Sequence, residues 1–155
     1  MARRSLLVAA CICCIAIGIV RAKLYTSTQN NTYFIEARHK YNWFQSQNQC
    51  TLQNMTLLSI ENADKNREIH DLINENFKDK EKPLLYIGAN DLANLKHFCW
   101  TKTGLEFDYT NWSEGEPNNY GGNEHCVHIG LYDDDTWNDV DCSMRFGYIC
   151  EENKK

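Results

Sequence analysis

The residues best suited to chemistry stand in two short stretches. EGEPNNYGGNEHC, from Glu114 to Cys126, combines three acids, three asparagines, three glycines and one proline, and WND follows at Trp137 to Asp139. The first stretch is too polar to be core. Glu116, Asn118 and Glu124 put carboxylate and amide oxygens on one Gly-rich loop, and Asn138 and Asp139 add more just beyond the next apolar run. Oxygen donors without thiolate or imidazole suit a hard cation taking about six to eight ligands, which means calcium. Glu116, Glu124 and Asp139 would repel one another if gathered without a counter-charge, and a divalent ion removes that penalty. A merely solvated acidic loop would account for the composition but not for the spacing.

Other groupings reduce to structure or give way to this one. Glu116 and Glu124 would serve in principle as a glycosidase acid pair, but they are better used as ligands and no separate deep-cleft signal exists. DDDTWND, Asp133 to Asp139, lacks the glycine and final glutamate of an EF-hand loop, so Asp133 to Asp135 are expected in a solvated turn. His39, His70, His97, His125 and His128 show no two-histidine metal spacing. His125 and His128, three apart on an expected strand, should face opposite ways. No Cys-x-x-Cys pair suggests zinc.

Elements must position these donors, and the chain is long enough for one domain with a moderate core: 155 residues. Two arginines, an apolar run from Leu6 to Val20 and Val20-Arg21-Ala22 read as a secretory signal peptide over 1–22, cut after Ala22. The run is shorter than the ~20 residues of a membrane span. The expected mature chain is therefore a secreted, extracellular single domain over 23–155, with its core at about 33–151. Without Arg3, Arg4 and Arg21 the 16 basic residues fall to 13 against 21 acidic ones, a net charge near −8. That balance counts against nucleic acid and anionic membrane as partners.

Of eight cysteines, Cys11, Cys13 and Cys14 leave with the leader, and Cys50, Cys99, Cys126, Cys142 and Cys150 remain. Outside the cell they should pair, with one left over. The sequons at Asn30, Asn54 and Asn111 are candidate N-glycosylation sites.

YFIEA (Tyr33 to Ala37) alternates as a strand, and YNWFQSQNQCTLQ puts Trp43, Gln47 and Cys50 on one helical face with Phe44 beside them. TLLSI reads as a short buried strand. ENADKNREIHDLINENF spaces Ile69, Leu72, Ile73 and Phe77 as an amphipathic helix with charges on the remaining face. Beyond Pro83, LLYIGAND, FCWTKT, HCVHIGL, TWNDV and FGYICE are short strand-like runs between polar loops. Helices first and strands afterwards predict an α+β fold with antiparallel sheet. The long aperiodic stretch between FCW and HCVHI, which contains Glu116, is of the kind that carries function.

Cysteine at the end of the first helix, YIGAND, FCWTKTG, NW, EPN, EHCV, WND, DC and GYIC, taken in this order, resemble a C-type lectin domain from about Tyr33 to Glu151. The pattern is that of the short form, as in insect secreted lectins. The resemblance implies a C-type lectin-like α+β fold: two helices, antiparallel sheets and a long calcium-binding loop region. It also implies disulfides Cys50–Cys150 and Cys126–Cys142, leaving Cys99 free. Cys99 alternates with Phe98 and Trp100 and is expected as a buried thiol, with an intermolecular bridge as the alternative.

The same resemblance implies a mechanism and no enzyme activity. The Glu116–Pro117 bond would be cis, turning its flanking side chains towards the ion. Two vicinal sugar hydroxyls would complete the coordination of one calcium, each donating to a carboxylate and accepting from an amide. Glu116 and Asn118 would serve one hydroxyl, Glu124 and Asn138 the other, with Asp139 as a further ligand. Glu-then-Asn order implies mannose-type glycans as partners. Tyr120, where galactose binders carry a stacking ring, keeps a galactose-specific lectin as the alternative. Trp137 is expected inward, as core. An auxiliary calcium site would be degraded: Asp91 could match one ligand, while Leu95, Asn119 and His125 stand where acids are wanted. Innate-immune glycan recognition or agglutination follows by analogy. A lectin-like domain binding protein or ice without sugar is the remaining rival.

Overall fold

The computed structural model describes residues 23–77, 82–130 and 136–153; the expected leader and the Asp133–Asp135 turn lie outside them. The chain forms strands β1 (Leu24–Thr26) and β2 (Thr32–Tyr41), helix α1 (Trp43–Leu52), β3 (Met55–Leu57) and helix α2 (Ala63–Phe77). Then come β4 (Leu85–Asn90), β5 (Cys99–Trp100), a single 3-10 turn (Tyr120–Gly122), β6 (Glu124–Ile129), β7 (Trp137–Asp141) and β8 (Phe146–Glu152).

The eight strands make one sheet in the order β1-β2-β8-β4-β6-β7, with β3 pairing β8 and β5 pairing β4. All pairings are antiparallel except β4 with β8, where Leu85 faces Gly147 and Tyr86 faces Tyr148 in parallel. The expected α+β plan therefore holds, with a mixed rather than wholly antiparallel sheet. The parallel pair arises because the last strand returns to lie between the first long strand and β4. Strand β4 also passes close to β3: a Cβ on Gly88 would meet the Leu57 carbonyl oxygen at 2.8 Å, so only glycine fits there.

Helix α1 starts at a capping box in which the Asn42 side chain accepts from Gln45 N and the Gln45 side chain accepts from Asn42 N. Such a cap contributes about 0.5–2 kcal/mol. The helix buries Trp43, Ser46 and Cys50, and the Trp43 indole donates to the Ile87 carbonyl at 2.9 Å. Phe44, expected beside that face, is instead half in solvent, edge-on to Trp43. Helix α2 seats Ile69, Leu72, Ile73 and Phe77 on the main core, as its periodicity predicts. Glu68 departs from that pattern. It is buried rather than on the charged face, because Ser27 and Asn31 donate to its carboxylate.

Cys50–Cys150 joins α1 to β8 across 100 residues, and Cys126–Cys142 joins β6 to the turn after β7. Closing a loop as long as the first is worth about 4–5 kcal/mol in the chain-entropy view. Cys99 carries a free thiol and is half-exposed rather than buried. Strand β5 is a two-residue strand at a margin of the sheet, so the face opposite Trp100 has little to cover it.

The stretch between β5 and β6 lacks ladders yet is anchored. Phe98, Trp100, Phe107, Tyr109 and Trp112 pack against one another and Trp137, which is fully buried. The centroids of Trp100, Phe107, Tyr109 and Trp112 stand 5.6, 5.5, 5.9 and 5.7 Å from that of Trp137, all edge-on. Aromatic pairs in this geometry add about 0.5–1.5 kcal/mol each beyond their burial. This cluster holds the base of the loop that carries Glu116.

Candidate functional site

Strands β6 and β7 form the floor. Ile129 lies opposite Trp137, His128 opposite Asn138 and Val127 opposite Asp139. The register shifts between Glu124 and Cys126, leaving His125 as the extra residue. Upstream, the Trp137 N–H donates to the Asn111 carbonyl and the Ser113 N–H to the Trp137 carbonyl, both at 2.9 Å. The loop leaves this zipper at Gly115, whose φ of 87° favours glycine, and enters the cis Glu116–Pro117 bond.

The two sequence stretches then meet. Asp139, 1 % exposed, accepts the Asn118 N–H on Oδ1 at 3.0 Å and the Asn119 N–H on Oδ2 at 2.9 Å. Asn118 Nδ2 donates to Glu116 Oε1 at 2.9 Å, which leaves its amide oxygen unused by that bond. Glu124 accepts the Tyr120 N–H at 2.7 Å, and its own N–H donates to Asn119 Oδ1 at 3.0 Å. Asn119 sits in the left-handed region at φ 46°, followed by Gly121 and Gly122 at 71° and 79°. These residues reverse the chain so that Glu124 returns beside the residues it left.

Glu116, Asn118, Glu124 and Asp139 are thus gathered on one loop-and-strand corner. Asn138 stands on the adjoining rung, its amide nitrogen 3.2 Å from His128 Nε2. Burial, and then the facing Asp139 carboxyl, hold the Glu116 carboxyl above its ordinary range. Burial likewise raises Glu124, with the Asp139 and Asp141 charges adding to it against the Tyr120 N–H. The corner is crowded with negative charge and met by N–H groups alone in the contacts described above. Among the described residues no three His, Cys, Asp or Glu side chains form a group able to hold an ion unaided. A cation here needs the two asparagine amides as well, and an all-oxygen set of carboxylates and amides fits calcium.

Around the corner, Tyr120 is 80 % exposed. Asp91 is buried, with Oδ2 accepting the Lys96 N–H at 2.7 Å and Oδ1 2.9 Å from His125 Nδ1. Two residues escaped sequence reasoning as parts of this corner. Asn119 organises the loop, for which its place before Tyr-Gly-Gly was the available signal. His128, fully buried beneath Asn138, gave no signal at all.

A disulfide-stapled α+β domain whose long loop gathers carboxylates and amides beside its last strands defines a lectin-like class. The Lectin C-type domain family model matches residues 39–152, and the chain belongs to the C-type lectin domain family. It is 39 % identical over 140 residues to lectin subunit alpha of Sarcophaga peregrina, covering 84 % of this chain and 48 % of that protein. It is 34 % identical over 116 residues to salivary C-type lectin 1 of Aedes albopictus, covering 71 % and 75 % respectively. The chain thus spans about half of the Sarcophaga protein's length. The cow C-type carbohydrate-recognition domain of CD23, solved in the presence of GlcNAc2Man3 oligosaccharide, superposes with a TM-score of 0.66. That match has 25 % identity and covers 81 % of this chain and 89 % of the other. The fold and the likeness to insect lectins expected from sequence are therefore established. The matched domain belongs to a family of non-enzymatic, carbohydrate-binding lectins, which counts against the glycosidase alternative for it. C-type lectin domains are generally calcium-dependent.

Proposed function

We propose that the mature chain is a secreted lectin that holds one calcium ion at Glu116, Asn118, Glu124, Asn138 and Asp139. The lectin binds mannose-type glycans through that ion. The observation that carries this reading is the joining of the loop to β7: Asp139 takes the Asn118 and Asn119 N–H groups while Asn118 reaches Glu116. When bound, the ion would accept two sugar hydroxyls directly. The protein side chains orient those hydroxyls, each carboxylate accepting and each amide donating. Glu116 with Asn118 serve one hydroxyl and Glu124 with Asn138 the other. A single ion is supported by Asp91, whose carboxylate is already engaged by His125 and Lys96 N–H. The exposed ring of Tyr120 favours a second reading, a galactose-type ligand stacked on it.

Among the sequons, Asn30 and Asn54 are exposed at left-handed turn positions, φ 64° and 57°. Asn111 is half-buried, its carbonyl bound to Trp137 N, and the Ser113 hydroxyl of its sequon lies 2.5 Å from Thr136 Oγ1. N-glycans on the secreted chain therefore belong at Asn30 and Asn54 before Asn111. Recognition of foreign glycans in defence is the role that fits a secreted domain of this kind.

The test is retention of the mature chain on mannose and galactose resins with calcium and then with chelator. Retention on mannose that chelator abolishes is expected. Binding that survives chelation, or none to either resin, overturns the reading, and preference for galactose transfers it to Tyr120.

A further inference from the structure

We infer that His128 is a positioning residue for the calcium cage, fixing by its tautomer which end of the Asn138 amide faces the ion. The inference rests on the calcium reading above and deepens it. His128 is 1 % exposed and lies opposite Asn138 on the neighbouring strand. Its Nδ1 is 3.2 Å from the Ile129 carbonyl oxygen, and its Nε2 is 3.2 Å from Asn138 Nδ2. A carbonyl oxygen only accepts, so Nδ1 carries the hydrogen and donates. Burial against the Phe146 ring, 4.9 Å between centroids, disfavours a charged imidazolium. A neutral ring protonated on Nδ1 leaves Nε2 as a bare acceptor.

That acceptor decides the amide's orientation. Turning Asn138 over would set its oxygen lone pairs against the Nε2 lone pair, a repulsive contact in a dry site. With the amide nitrogen inward, Oδ1 is the end left for the ion. One of the two Nδ2 hydrogens goes to His128 and the other remains for a sugar hydroxyl. Holding the amide in advance spares the cage the cost of ordering it when the ion arrives. Groups that orient a metal ligand in this way are worth about 10–100-fold in metal affinity.

Two measurements on the mature chain test this. Imidazole nitrogen-15 shifts in chelator report which ring nitrogen bears the hydrogen, and the Asn138 side-chain amide signals report the contact. Calcium binding, read with a competing chelator dye, is compared for the parent chain, His128→Leu and His128→Gln, each checked for parental near-UV circular dichroism. The expected result is an Nδ1–H ring and about 10–100-fold weaker calcium binding by the Leu variant. The Gln variant, whose amide oxygen can still accept from Asn138, recovers much of that loss. If the Leu variant loses its fold, the comparison is made with His128→Gln and Asn138→Ala, whose losses should not add. An Nε2–H ring, or parental affinity in a folded His128→Leu, overturns the inference. Absence of calcium binding by the parent overturns the proposed function, while the nitrogen-15 arm still decides whether His128 holds Asn138.

Discussion

Two groups of acidic side chains, one around Glu151 and one around Asp139, treat their charge differently. At one, Glu151 on β8 is 5 % exposed and carries two cations: Lys65 on one oxygen, and Lys102 at 3.1 Å with the Ser59 N–H at 3.1 Å on the other. At the other, Glu116, Glu124 and Asp139 converge with backbone and amide N–H groups as their partners. The first cluster is complete as it stands and ties β8 to α2 and the strand-edge turn. The second meets no lysine or arginine in the contacts described, and on the proposed calcium reading its missing counter-charge is the ion. Identical residue types serve structure where lysine meets them and, on the proposed function, binding at the corner where N–H groups are their partners. Composition alone does not separate the two roles.

The comparison can be broken at several points. The largest effect should come from Cys50→Ala with Cys150→Ala, which removes the clamp behind the Glu151 strand. A loss of about 4–5 kcal/mol is expected in chemical denaturation, enough to unfold much of the population at body temperature. Next, calcium at about a hundredfold its dissociation constant should add about 2.7 kcal/mol to stability, measured as a rise in melting temperature that chelator reverses. Glu151→Gln should cost about 1–3 kcal/mol, because the remaining amide cannot satisfy both lysines and the Ser59 N–H. It should leave the calcium-induced rise intact. The smallest effect on the ion-free fold belongs to Glu124→Gln. Denaturation in chelator should change by no more than about 0.5 kcal/mol, since the site is partly solvated and repulsion is relieved. The calcium-induced rise and mannose retention should nevertheless disappear. A Glu124→Gln variant that keeps its calcium response, or a Glu151→Gln variant that loses it, would erase the distinction between the clusters.

Much of this was legible in the sequence because it depends on local rules. The α2 face shows in its 3.6-residue period, and Trp137 is buried where WND places it. Residue type and spacing pointed the Glu116 loop and Asp139 to one corner, and the two do meet there. What escaped depends on partners far away in the chain. Glu68 looks like any helical surface acid, and its burial follows from Ser27 and Asn31, some 40 residues earlier. The parallel β4–β8 pair is set by where the last strand docks, which no local period encodes. Cys99 was read as buried from apolar character, yet it is half-exposed, and Phe44, placed beside the buried helical face, lies half in solvent. His128 was weighed only as a metal ligand. Its orienting contact depends on register between β6 and β7 and on a bulge at His125 that strict alternation does not foresee.

The ring of aromatics around Trp137 has a consequence for how the molecule can be watched. The indole is fully shielded from water, and among the described residues its N–H meets no hydrogen-bond acceptor. It adjoins Asn138 directly along the backbone, so on the proposed calcium reading an adjustment of that amide would reach a chromophore that solvent does not blur. If the proposed cage holds calcium, Trp137 emission would serve as an optical gauge of its occupancy.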